Sequence, residues 1–196
     1  MLSILGAALA FVLSAPASQA TPITFVANLV GSLEVPPTGS PGTGHATVII
    51  DPAANTMQVD VSFSGLEAPT TASHIHCCLA SPFETGVSVG VATTVPFFPG
   101  FPIGVTSGTY LHDFDLLDAT SYNPAFVTAE GGTVADAEAA LIAGIEAGKS
   151  YLNIHTQEFL TGEIRGFLVA TPEPAGLVVL ASALLGLALA RRRRRG

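Results

Sequence analysis

The chain has 196 residues, 48% of them hydrophobic and 11% charged, with seven basic and fifteen acidic side chains. Five of the seven bases are Arg191 to Arg195, so only Lys149 and Arg165 face the fifteen acids between Glu34 and Glu173, a net of −13 over that stretch. Such an anionic body excludes nucleic acid as a partner, because phosphates need cations, and it attracts divalent metal instead.

The first segment, MLSILGAALAFVLSAPASQA, carries an apolar run from Leu2 to Leu13 that is too short to span a bilayer. With small Ser18 and Ala20 before the cut, residues 1–20 are expected to be a signal peptide removed by signal peptidase.

Residues 21–170 then read as one domain. ITFVANLVGSL alternates, placing Phe25, Ala27, Leu29 and Leu33 on one face. EVPPTGSPGTG is a loop, since proline cannot donate to a ladder. GHATVIID ends at Asp51-Pro52 with Asn55 nearby, which predicts a hairpin into TMQVDVSFSGL, where Met57, Val59, Val61 and Phe63 share a face.

SHIHCC follows, Ser73 to Cys78. In a strand, His74 and His76 point to the same side and Ile75 to the other. Cys77 and Cys78 are neighbours with no third cysteine to pair with. They can form a strained vicinal disulfide, cross-link two molecules or ligate a metal. The first two are favoured, because adjacent strand residues point to opposite faces.

Pro82 to Gly108, broken by VPFFPGFPIG, reads as a long surface loop or an edge. YLHDFDL is a strand with Tyr110, His112, Phe114 and Leu116 on one face. Asp113, Asp115 and Asp118 lack the glycine and terminal glutamate of an EF-hand loop, so a solvated strand end is expected there. His45 and His112 are isolated and read as surface or packing residues. One helix is expected over TVADAEAALIAGIEAGK, with Thr133 as N-cap, Leu141, Ile142 and Ile145 as its stripe and Gly148 closing it.

YLNIHT and GEIRGFLVA complete the domain. Tyr151, Asn153 and His155 share one face of their strand. If that strand neighbours SHIH, then His74, His76 and His155 converge as three nitrogen ligands for zinc or copper, with Glu163 the nearest fourth donor in sequence. Glu163 and Arg165 share a face and are expected, with Asn153, to form a structural polar network. No nucleophile motif, phosphate loop or H-E-x-x-H motif is present, so no catalytic residue is assigned. Many short strands between Gly/Pro turns predict an antiparallel β-sandwich with one short helix.

After the domain comes TPEPAGLVVLASALLGLALARRRRRG, residues 171–196. Residues 175–190 are uncharged and would make roughly 24 Å of transmembrane helix, with Arg191, Arg192, Arg193, Arg194 and Arg195 stopping transfer on the cytoplasmic side.

Four blocks, FVANLVGSLEVPPTGSPGTGHATV, SHIH, SYNPAF and AGKSYLNIHTQEFLTGEIRGFL, resemble the CHRD domain, named from chordin and found in many bacterial exported proteins. The resemblance implies a sandwich of immunoglobulin-like or superoxide-dismutase-like character and no established catalytic activity. His74, His76, His155, Glu163 and Arg165 fall on its motif positions. Members usually have glycine after the H-x-H, where this chain has Cys77 and Cys78. The H-x-H also resembles the copper ligands of Cu/Zn superoxide dismutase, but the other ligands of that dimetal site have no counterpart. Pro172-Glu173-Pro174, the apolar helix and the arginines resemble a PEP-CTERM sorting signal, which implies processing by an exosortase. The expected product is a non-enzymatic module of the cell surface or exopolysaccharide matrix, in contact with exopolysaccharide or surface proteins. A metal-binding protein or superoxide-dismutase-like metalloenzyme is the first alternative, and a permanently membrane-anchored surface protein the second.

Overall fold

The computed structural model describes residues 21–172. The expected signal peptide, Glu173, Pro174, the 175–190 segment and the arginine tail lie outside the described residues. Among the described residues no helix is long and apolar enough to cross a membrane.

Eight strands form one antiparallel sheet: β1 Ile23–Val30, β2 Thr43–Asp51, β3 Thr56–Ser64, β4 Thr70–Cys77, β5 Gly108–Asp115, β6 Ser150–Thr156, β7 Ile164–Phe167 and β8 Val169–Ala170. The order is β4-β6-β7-β1-β2-β3-β5, and β8 pairs with β1. Two helices precede β6: α1 Pro124–Ala129 and α2 Val134–Glu146.

Period-two patterning sets the core. Phe25 faces Val48 and Ala27 faces Ala46 across β1–β2, while Val59 and Val61 sit opposite Val48 and Ala46 across β2–β3. All of these are buried, as are Ile75, Leu152, Ile154 and Ile164 on the other half of the sheet. Each fully buried aliphatic side chain contributes about 1.5–3 kcal/mol relative to exposure. The β2–β3 turn is held by Asp51 Oδ1, which accepts the N–H groups of Ala53 and Ala54 at 2.9 and 3.0 Å. Asn55, at φ 54°, takes the left-handed turn position that asparagine tolerates.

The mainly β, antiparallel fold stands as expected, built as one curled sheet: β4 and β5, the outermost strands in the order, meet through Phe98, which lies 6.5 Å from His74 and 5.6 and 5.5 Å from Tyr110 and Phe114. Other expectations are corrected. The first strand stops at Val30, and Leu33 leaves its face because the chain tightens into a 3₁₀ turn at Gly31–Leu33. Among the described residues there are two α-helices rather than one. The second, α1, has only six residues, so it shows no apolar stripe, and it is set by Asn123 as N-cap and Pro124 at its start. In α2 the expected cap holds: Thr133 Oγ1 accepts from the Asp136 N–H at 3.1 Å.

The stretch 82–107 is less a surface loop than a strap. It runs along the free edge of β4, where the Cys77 N–H and the Ile75 and Ser73 carbonyls find partners: Cys77 N–H donates to Gly90 O, Ala92 N–H to Ile75 O and Phe98 N–H to Ser73 O. An edge strand left open would invite pairing with another chain. The strap also contributes buried Ala92, Phe98 and Phe101 to the core.

Candidate metal centre

On β4, β6 and β7 the sheet buries its outer face too. The register places His74 opposite Asn153 and Asn153 opposite Arg165, one polar row across three strands. The next row holds His76, Tyr151 and Phe167. Ladder partners share a face, so these side chains lie on the face opposite that of Ile75 and Leu152.

His74, His76 and His155 each offer one ring nitrogen, and the three lie within 4.8 Å of one another. Each ring spends its other nitrogen on a backbone carbonyl. His74 Nε2–H donates to Pro96 O at 2.7 Å, His76 Nδ1–H to Val89 O at 2.7 Å and His155 Nδ1–H to Leu160 O at 2.9 Å. Those bonds fix the tautomers and leave His74 Nδ1, His76 Nε2 and His155 Nε2 buried without a partner. Carbonyl-oriented imidazole with a free lone pair is the arrangement a metal ligand needs. Bonds of about 2.0–2.1 Å to one ion would require the three nitrogens to close to about 3.3 Å.

The same burial keeps the rings neutral. Desolvation, with a smaller contribution from the neighbouring imidazoles, lowers His74 and His76 to about 4, and burial also lowers His155. Tyr151 stacks on His76 with centroids 4.8 Å apart.

Arg165 meets a partner that the sequence did not single out. Its Nε lies 3.6 Å from Glu34 Oε2, and both side chains are buried. It also donates to Leu33 O and, through Nη1, to Val87 O of the strap at 3.2 Å. Its guanidinium carbon sits 4.5 Å from the Tyr151 ring centroid. Burial pushes Glu34 up to about 7 despite Arg165 and the Asn153 amide, which favour its anion.

Glu163 neither pairs with Arg165 nor joins the histidines. Its Oε1 accepts from Ser40 Oγ and from the Glu67 N–H at 2.8 Å. Cys77 and Cys78 are bonded to each other, and both sulfurs face Gly144 of α2. Cys77 ends β4 and Cys78 has left it, so the two side chains need not diverge. His45 hydrogen-bonds Asn28 at 3.1 Å, and His112 packs on Phe114 at 4.6 Å. Asp115 and Asp118 accept the N–H groups of Leu117 and Thr120, and Asp113 accepts from Gln58.

Sequence parity anticipated the histidines and put Tyr151 on the face of His155, but it gave no sign of Glu34 or the strap carbonyls. Glu34 appeared only inside the EVPP block, and nothing periodic marks a loop acid as the partner of an arginine on β7.

The buried groups make metal-free stability depend on pH. His74 and His76 titrate near 4 when folded and near 6.5 when free, so the unfolded chain binds more protons as pH falls through that window. That costs stability. Glu34 opposes it, since its raised value makes the folded chain take up a proton first between about 7 and 4.5. Two imidazoles outweigh one carboxyl. Urea unfolding of metal-free protein should therefore give a free energy on the order of 1–2 kcal/mol lower at pH 5 than at pH 7, and Glu34→Gln should enlarge the gap. An equal or greater stability at the lower pH contradicts neutral, buried imidazoles.

The family model of the CHRD domain matches residues 25–168 of the chain. No curated protein and no solved structure matches it.

Proposed function

Because the chain belongs to the CHRD-domain family, we propose that it is an exported, non-enzymatic module of the cell surface or extracellular matrix whose binding function is to hold one metal ion, zinc or copper, on His74, His76 and His155. The observation that carries the metal is the set of three buried nitrogens without partners, each on a ring whose N–H is taken by a carbonyl. Unpartnered buried polar atoms are costly in a folded protein, and one ion satisfies all three.

Export is supported by the apolar segment at 1–20 and by an oxidised cysteine pair, which suits a compartment outside the cytosol. In this reading an exosortase-type enzyme acts at Pro172-Glu173-Pro174 while residues 175–190 lie in the membrane and Arg191–Arg195 stay inside. Exopolysaccharide or surface proteins are then the neighbours of the released domain. The curled sheet is read as a closed variant of an immunoglobulin-like or superoxide-dismutase-like sandwich, its halves facing across the core.

Protein recovered from cells should carry close to one equivalent of zinc or copper, and its intact mass should lack the arginine tail. His76→Phe keeps a ring on Tyr151 but removes the ligand. It should weaken metal binding by at least about a hundredfold while the domain stays folded. Metal-free protein that also fails to take up added zinc or copper sinks the binding function. A mass that includes the tail sinks the processing step alone and favours permanent anchoring.

A further inference from the structure

Resting on that metal-binding reading, we infer that the three-histidine site is built for a monovalent closed-shell ion, copper(I), and discriminates against divalent ions. The donor set is three neutral imidazoles, and among the described residues no carboxylate or thiol joins the cluster. The acids within the surrounding polar layer each hold one oxygen on another partner and lie outside the cluster. Glu34 lies 3.6 Å from Arg165 Nε, and Glu163 accepts from Ser40 and the Glu67 backbone. A cation is also already present: Tyr151, on the middle strand of β4-β6-β7, lies between His76 and the Arg165 guanidinium.

Charge then decides the ion. The cost of taking an ion out of water grows with the square of its charge, so a divalent ion meets about four times the penalty of a monovalent one of like size. No anionic ligand offsets that penalty, and a divalent ion would have to bring its own, such as hydroxide or chloride. Copper(I) accepts three nitrogen donors with no fourth ligand and needs no counter-charge in the site. His74 and His76 are 6% and 8% exposed, packed against Phe98 and Tyr151, and His155 is the most open of the three ligands.

The test uses the full chain, purified in detergent and stripped of metal. Copper(I), supplied without oxygen as its acetonitrile complex, is competed against a colorimetric copper(I) chelator. Zinc(II) sulfate is competed against a zinc indicator in chloride-free buffer. One equivalent of copper(I) should bind with a Kd at least about a thousandfold below that for zinc. His155→Asp supplies the missing anion at the most exposed ligand and should cut that ratio at least tenfold by strengthening zinc. Zinc binding within tenfold of copper(I) in the natural chain, or a ratio unmoved by His155→Asp, overturns the charge selection and leaves the metal site standing. If neither ion binds, the metal-binding reading falls, and this inference with it.

Discussion

At pH 8, where Glu34 is ionised in the native protein, Arg165→Met should destabilise the protein by about 3–5 kcal/mol, because it removes the cation from a buried pair and leaves Glu34 either charged without its partner or forced to take up a proton. Methionine keeps most of the volume, so packing loss is a minor part. The arginine also ties three elements together: the Leu33 carbonyl before the EVPP loop, the Val87 carbonyl of the strap and the Tyr151 ring of β6. Two readouts separate charge from packing. In Arg165→Met/Glu34→Gln the abandoned carboxylate is gone, and urea unfolding should recover at least about 1 kcal/mol of the loss. Hydrogen exchange in the strap should rise in both variants, since Val87 loses its donor in each. A double variant no more stable than Arg165→Met would show that the buried charge is not what the single change exposes.

Gly144→Ala should destabilise by about 1–3 kcal/mol even though alanine is the better helix former by about 1 kcal/mol. Gly144 lies inside α2, and a Cβ there would come within 3.0 Å of both Cys77 Sγ and Cys78 Sγ. The sulfurs are bonded to each other at the end of β4, so they cannot move apart to make room. The sign should reverse when the obstacle is removed. In a Cys77→Ala/Cys78→Ala background, Gly144→Ala should be neutral or stabilising by up to about 1 kcal/mol. Thermal and urea unfolding of the four proteins gives the cycle, and a destabilisation that persists without the sulfurs would locate the clash elsewhere.

These two residues mark where sequence reading ends. Parity along single strands was legible: Phe25, Ala27 and Leu29 are buried together, and His74 and His76 share a face, as do Tyr151, Asn153 and His155. What parity could not supply was adjacency. β4 and β6 are neighbours although β5 and both helices intervene in the chain, and only the packing of the whole core decides that pairing. The convergence of three histidines was conditional on that fact. Arg165 was read with Glu163, two residues away and of matching parity, yet its partner is Glu34, more than a hundred residues upstream. A buried charge finds its counter-charge through space, and local spacing carries no trace of it. Nothing in the sequence marks Gly144, and its reason lies in a disulfide at the end of a strand. The strap looked like surface because Pro and Gly interrupt it, but its backbone covers an edge strand and its phenylalanines fill the seam between β4 and β5.

The short strand β8 has a mechanical meaning. Phe25 and Val26 pair with Ala170 and Val169, and the Thr171 N–H donates to Thr24 O at 2.8 Å. The domain therefore begins and finishes at one corner. Whatever it is fastened to, by either end, the load enters the domain at that one corner. A pull along the outgoing chain would open β8 from β1 one bond at a time, like a zip, before it loaded the strands that carry the histidines.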